Sequence, residues 1–218
     1  MTVVLKVGGA STAGVAEAVR ALGGTVCVVH GAGPQISEEM ERRGLEVRFV
    51  GGRRVTTPEA LSVVQESLAR VNAAVCAAIG EQAVSLAGDE IGLEAVQVPE
   101  LGLVGSPVPC APRPVLDVLA ARLVPVVSPL ARGPLNVNAD EAAAALAVGI
   151  GAARLHFLTD VLGVYRGGDL VPALDATTAE ALVQSGDFEG GIVPKLLAAV
   201  RAVRSGIPAE IGMTEVLT

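Results

Sequence analysis

Four places in the chain set a charged or amide side chain, in three of them with glycines, where a strand-like run gives way to a helix-like one. The first is Lys6-Val7-Gly8-Gly9-Ala10-Ser11. A lysine near a strand end, followed by paired glycines, brings an ammonium and free backbone N–H groups to one spot, which is what a transferring phosphoryl group requires. The second is His30-Gly31-Ala32-Gly33-Pro34-Gln35. Small residues there let the backbone approach an anion, and a helix N-terminus favours negative charge. His30 closes a buried run and reads as a hydrogen-bonded core residue rather than an acid–base group. The third is Asn136-Val137-Asn138-Ala139-Asp140. In an extended run Asn136 and Asn138 share a face, and Asp140 taken alone reads as a helix cap. The fourth joins the run from Thr159 to Tyr165 with Gly190-Gly191-Ile192-Val193-Pro194-Lys195. A lysine in the first turn of a helix opposes the macrodipole unless a bound anion compensates.

Other chemistries lack their residues. No Gly-x4-Gly-Lys-Ser/Thr run exists, and no Gly-x-Gly-x-x-Gly, which argues against a P-loop enzyme and a dinucleotide enzyme. The two histidines, His30 and His156, have no cysteine cluster near them in sequence, so no metal site is expected. Aromatic residues are 2% of the 218, too few for a base-stacking platform, and the net charge of −7 repels a phosphate backbone. Nucleic acid is therefore not an expected partner. Hydrophobic residues make up 51% and charged residues 18%, ample for a buried core. Cys27, Cys76 and Cys110 are far apart in apolar surroundings and read as reduced core thiols of a cytoplasmic protein. The longest apolar stretch, Ala142 to Ala153, is too short to span a bilayer, so no membrane partner is expected either.

Elements must hold these groups in place. Short runs at Val3–Val7, Thr25–Val29, Val124–Val127 and Leu155–Leu158 read as continuously buried strands of a sheet covered on both faces. Helical patterns lie at Thr12–Leu22, Gln35–Arg43, Thr57–Ile79, Asp140–Gly149 and Pro194–Ser205. The alternation predicts an α/β fold with a mainly parallel central sheet in one domain. Val96–Pro114, with five prolines, reads as a hairpin or loop excursion.

In order and over nearly the whole chain, these motifs resemble those of the acetylglutamate kinases, in the amino acid kinase superfamily. The pieces are Lys6 to Gly9, His30 to Ile36, Gly52-Arg53-Arg54-Val55-Thr56, Gly88-Asp89, Leu101 to Gly105, Asn136 to Asp140, Thr159 to Val164 and Gly190 to Lys195. The resemblance implies an open αβα sandwich, with an acyl-amino-acid lobe over about residues 1–130 and a nucleotide lobe over about 131–218. It implies transfer of the γ-phosphoryl group of ATP to the side-chain carboxylate of N-acetyl-L-glutamate, in arginine biosynthesis. By carry-over, Lys6 and Lys195 neutralise the phosphoryl group in flight and Asp140 holds both ammonium groups. Gly8, Gly9, Ala32, Gly33, Arg54 and Asn136 bind substrate. Thr159, Asp160, Val161, Leu162, Gly163, Val164 and Tyr165 contact the nucleotide, as do Asp187, Phe188, Glu189 and Gly191. Mg²⁺ arrives with ATP, held mainly by the phosphates, with no dedicated protein site.

Ala32 stands where the family has glycine; in a left-handed conformation it would cost about 1 kcal/mol and its methyl would crowd the substrate. The chain begins only five residues before Lys6, which leads to the expectation of a homodimer rather than an arginine-sensitive hexamer. Two other readings stand beside this one. One is a sibling kinase for aminoadipate or glutamate attached to a carrier protein; the other is a non-catalytic binding homologue.

Overall fold

The computed structural model describes residues 1–8, 14–188 and 190–218. Gly9, Glu189 and the first two residues of the helix expected from Thr12 lie outside the described residues.

Strand β1 (Thr2–Val7) leads through α1 (Val15–Leu22) to its parallel neighbour β2 (Thr25–His30). Helix α2 (Gly33–Arg42) starts two residues ahead of the predicted Gln35. First-turn N–H groups have no intrahelical acceptor, so Gly33 and Pro34 cost that turn no hydrogen bond. A short hairpin follows, β3 (Phe49–Val50) and β4 (Arg53–Arg54). The 22-residue helix α3 (Pro58–Ile79) is capped by Thr57, whose Oγ1 accepts from the Ala60 N–H at 3.2 Å.

Next come β5 (Ala83–Ala87), the single turn α4 (Gly88–Ile91), and the antiparallel pair β6 (Ala95–Gln97) and β7 (Val104–Pro107). That pair is the excursion expected after Val96. Helix α5 (Arg113–Ala120), β8 (Val124–Ser128), β9 (Leu130–Ala131) and β10 (Leu135–Val137) lead into α6 (Ala139–Gly149). The cap of α6 is Asn138, whose Oδ1 accepts from the N–H groups of Asp140 and Glu141 at 2.9 and 3.1 Å. Asp140 is thus free of capping and sits in the first turn.

The rest of the chain runs β11 (Arg154–Phe157), β12 (Tyr165–Arg166), β13 (Asp169–Leu170), β14 (Ala173–Asp175), α7 (Ala176–Ser185), α8 (Ile192–Arg204), β15 (Ala209–Ile211) and β16 (Thr214–Leu217).

Eight strands form the central sheet in the order β14-β16-β15-β11-β1-β2-β8-β5, parallel except between β15 and β16. The predicted α/β class with a mainly parallel sheet is what forms. A smaller sheet, β6-β7-β10-β9, flanks it. Alternate side chains of each strand enter different cores. Val4, Cys27, Val29, Leu155 and Phe157 pack with α6, α7 and α8, whereas Leu5, Val7, Val26 and Val28 pack with α2 and α3. β11 departs from the expected unbroken burial. Its Arg154 and His156 are half-buried on the face opposite Phe157, and both bond Glu210 of β15, at 2.9 and 3.1 Å. Cys27 is fully buried, and burial pushes its thiol up to about 12, which removes it as a nucleophile.

Candidate active site

A cavity of about 680 Å³ opens at the carboxyl ends of β1, β2 and β11, where open α/β sheets bind ligands. The N-termini of α2, α6 and α8 border it at Gly33, Ala139 and Ile192, so three positive helix ends face one space.

At its floor Lys6 Nζ lies 2.8 Å from Asp140 Oδ1, with both side chains over 90% buried. The other carboxylate oxygen, Oδ2, is 3.9 Å from Lys195 Nζ, which also donates to the Gly191 carbonyl at 3.1 Å. Burial, and then the Lys6 charge, hold the Lys195 ammonium below the usual lysine range, with Asp140 pulling the other way. Two ammonium groups share one carboxylate, so a further anion in the cavity would complete the charge balance.

The glycines bear the same mark. A Cβ built on Gly8, Gly33 or Gly191 would meet nothing within 4 Å, and none of the three has the positive φ that would require glycine. The fold does not need glycine at these positions, and a side chain there would project into open space at the border of the cavity. Ala32 has φ −145°, outside the left-handed region, so the cost expected for an alanine there does not arise. Its side chain is buried.

The β3–β4 hairpin brings Arg54, which is buried with its guanidinium 4.6 Å from the centre of the exposed Phe49 ring. Nη2 donates to the Gly33 carbonyl and Ser37 Oγ at 3.0 and 2.8 Å, and Nη1 to Met40 Sδ at 3.4 Å. Of five N–H bonds, three are engaged among the described residues, leaving one on Nε and one on Nη1. Burial lowers the guanidinium to about 10, still charged at neutral pH. Asn136 and Asn138 both line the cavity and both reach back to the hairpin segment. Asn136 Nδ2 donates to Thr56 Oγ1 at 3.0 Å and Asn138 Nδ2 to the Gly52 carbonyl at 3.1 Å.

Thr159, Asp160 and Val161 border the cavity; the Thr159 hydroxyl bonds both the N–H and the carbonyl of Val161 and shapes that turn. Gly191 borders it too, whereas the other described residues carried over for the nucleotide lie off it. Val164 and Phe188 are buried in the core, and the Val164 N–H donates to Thr214 Oγ1 at 2.9 Å. Gly163 abuts Thr214, Leu162 is exposed, Tyr165 belongs to the β12–β13 hairpin, and Asp187 lies 3.9 Å from Arg166.

Residues 1–212 match the sequence profile described as the Amino acid kinase family. The chain belongs to the amino acid kinase family. The acetylglutamate kinase of Rubrobacter xylanophilus is 43% identical, covering 96% of this chain and 88% of that one. That of Thermus thermophilus is 41% identical, covering 94% and 87%. A solved protein of Streptococcus mutans shares the fold at TM-score 0.88 and 24% identity, over 99% of this chain and 98% of its own.

In this amino acid kinase the structure brings together Lys6, Lys195, Asp140, Gly8, Ala32, Gly33, Arg54, Asn136, Gly191 and the Thr159–Val161 turn. Sequence reasoning missed the groups that set them in place: Ser37 and Met40 on Arg54, Thr56 on Asn136, and Arg53 on Glu141, whose Nε and Nη2 donate at 3.0 and 2.7 Å. The adjacent arginines beside Gly51-Gly52 were a visible signal. Their partners, 88 positions away for Arg53, carry none.

Proposed function

We propose that this kinase phosphorylates the side-chain carboxylate of N-acetyl-L-glutamate with ATP, giving the 5-phosphate, an acyl phosphate, for arginine biosynthesis. The observation that carries this reading is Asp140 set between Lys6 and Lys195 at the floor of a glycine-lined cavity. The relatives named acetylglutamate kinase supply the acceptor.

A carboxylate oxygen attacks the γ-phosphorus while the bond to the β–γ bridging oxygen breaks, and ADP leaves with that electron pair. The nucleophile is already an anion, so no general base is needed; positioning and charge stabilisation suffice. Lys6 and Lys195 oppose the charge on the phosphoryl oxygens, and Asp140 keeps the two ammonium groups from driving each other apart. Backbone N–H groups at Gly8 and around Ala32 and Gly33 receive oxygens of phosphate and acceptor. Arg54 presents Nε and its free Nη1 hydrogen to the α-carboxylate, and Asn136 meets the acetamido group. The Thr159–Val161 turn and Gly191 lie toward the nucleotide, in a lobe over about residues 131–218, with the acceptor lobe over about 1–130. The cavity suits a polyphosphate: two ammonium groups, three helix N-termini and a cradle that any Cβ would fill. Mg²⁺ would come with ATP as part of that substrate and would supply further charge neutralisation at the γ-phosphoryl group. Such a reaction draws on the cytoplasmic pools of ATP and acylated amino acid. Among the described residues no helix is long and apolar enough to cross a membrane.

ADP release measured with N-acetyl-L-glutamate, L-glutamate and α-aminoadipate tests the reading. Turnover confined to the acetylated compound supports it. ATP binding without turnover of any of the three would point to a carrier-linked acceptor, and no ATP binding to a non-catalytic protein.

A further inference from the structure

Asn136 has two chemically opposite ends, and the structure uses one of them inside the protein. Its Nδ2 donates to Thr56 Oγ1 at 3.0 Å, and that hydroxyl donates in turn to the Arg54 carbonyl at 2.8 Å. Thr56 is fully buried. Its backbone is tied on both sides, N–H to the Leu101 carbonyl at 2.9 Å and carbonyl to the Leu103 N–H at 2.8 Å. Leu103 in turn accepts from the Asn136 N–H at 2.9 Å, so hydroxyl and amide are held at a fixed separation by backbone bonds. A hydroxyl has one hydrogen. With that hydrogen on the Arg54 carbonyl, Oγ1 can only accept from Asn136. Reversing the amide would set two acceptors face to face or forfeit the bond to Arg54.

We propose that Thr56 is the positioning residue that fixes the Asn136 amide with Oδ1 toward the cavity, so that the acceptor must offer an N–H on its α-substituent. The inference rests on the proposed N-acetyl-L-glutamate reading and adds its selection rule. Asn136 lines the cavity, and Oδ1 has no partner among the described residues. An amide substrate satisfies it; an ester of the same shape presents only oxygens. The same relay ends on the carbonyl of Arg54, so the groups that meet the acetamido nitrogen and the α-carboxylate are held by one chain of bonds.

The test is steady-state kinetics with N-acetyl-L-glutamate and with O-acetyl-2-hydroxyglutarate, in which oxygen replaces the amide N–H. Wild-type kcat/KM is expected to favour the amide by about 100-fold or more, as for sites built around a buried hydrogen bond. In Thr56→Val the amide turns freely. The preference then falls at least about tenfold and KM for the acetylated amino acid rises, while KM for ATP is unchanged. Thr56→Ser keeps the hydroxyl and restores the preference. Equal use of ester and amide by the wild-type protein would overturn the inference even if Thr56→Val does not fold. So would a folded Thr56→Val that retains the wild-type preference. Failure of the underlying reading has a separate signature, a wild-type protein that turns over neither compound, and it takes this inference with it.

Discussion

Arg53 and Glu141 are joined by two N–H···O bonds of 3.0 and 2.7 Å between the β3–β4 hairpin and the first turn of α6. Each is the chain neighbour of a residue assigned to the chemistry, Arg54 on one side and Asp140 on the other. Ser106 takes a further bond from Arg53 Nη2 at 3.0 Å, and Arg201 of α8 lies 3.5 Å from Glu141 Oε2. The carboxylate of Glu141 thus links the hairpin that carries Arg54, the helix that carries Asp140 and the helix that carries Lys195.

Removing one partner strands a mostly buried charge. Glu141→Gln is expected to cost about 2 kcal/mol of stability, given side-chain exposures of 18% for Arg53 and 11% for Glu141. It is also expected to lower kcat/KM for the acceptor about tenfold through misplacement of Arg54. A double-mutant cycle with Arg53→Met, read by urea denaturation, should give a coupling above about 0.5 kcal/mol. Additive effects would show that the two side chains act independently.

Gly8 and Gly33 separate fold from function. Neither has a positive φ and neither has a neighbour within 4 Å of a built Cβ, so Gly8→Ala and Gly33→Ala should leave stability unchanged or raise it by about 0.5 kcal/mol. On the proposed reading the added methyl would occupy ligand space, and kcat/KM for ATP or acceptor is expected to fall about 100-fold. Thermal melts and kinetics on the same preparations decide the matter; a destabilised variant with intact activity would contradict the assignment.

The glycine junctions, the strand runs and both lysines were legible because each is a local pattern. Asp140 was placed between the lysines by family resemblance rather than by spacing, since 134 positions separate it from Lys6 and 55 from Lys195. Thr56–Asn136 and Arg53–Glu141 join positions 80 and 88 apart, and two-residue strands such as β3 and β4 have no periodicity to read. The alternation in β11 is not legible in the sequence for a related reason. Arg154 and His156 sit in an otherwise apolar run, and the Glu210 that bonds them is over 50 residues away.

His30 makes the fold sensitive to acid. It is fully buried, accepts from Asn72 Nδ2 at Nε2 (3.1 Å) and has Nδ1 3.3 Å from the Gly31 carbonyl; burial lowers its imidazole from 6.5 to about 4. Between those values the unfolded chain binds the proton and the folded chain does not, so stability is full above pH 6.5 and declines toward pH 4. The loss from this group reaches about 3 kcal/mol. Urea midpoints at pH 7.5 and 4.5 should differ more in the wild type than in His30→Gln; equal differences would assign the slope elsewhere.

In the role proposed for it, Lys195 is expected to set an alkaline limit on activity. It must be protonated to oppose phosphoryl charge, and its ammonium lies below the ordinary value of 10.5. The kcat/KM for ATP reports the free enzyme, so it should fall at a pH below that of an ordinary lysine. Asp140→Asn removes the charge that favours the ammonium, which moves the limit lower still. A limit that moves upward in that variant would contradict the arrangement.

The most direct measurement is acyl phosphate trapping with hydroxylamine, using N-acetyl-L-glutamate and ATP with Mg²⁺, in the wild type and in Lys195→Ala. The expected result is one hydroxamate per ADP in the wild type and a rate lower by about 1,000-fold or more in the variant, with ATP still bound. ADP released without hydroxamate, or hydroxamate formed at an undiminished rate by Lys195→Ala, would contradict phosphoryl transfer to the carboxylate at this site.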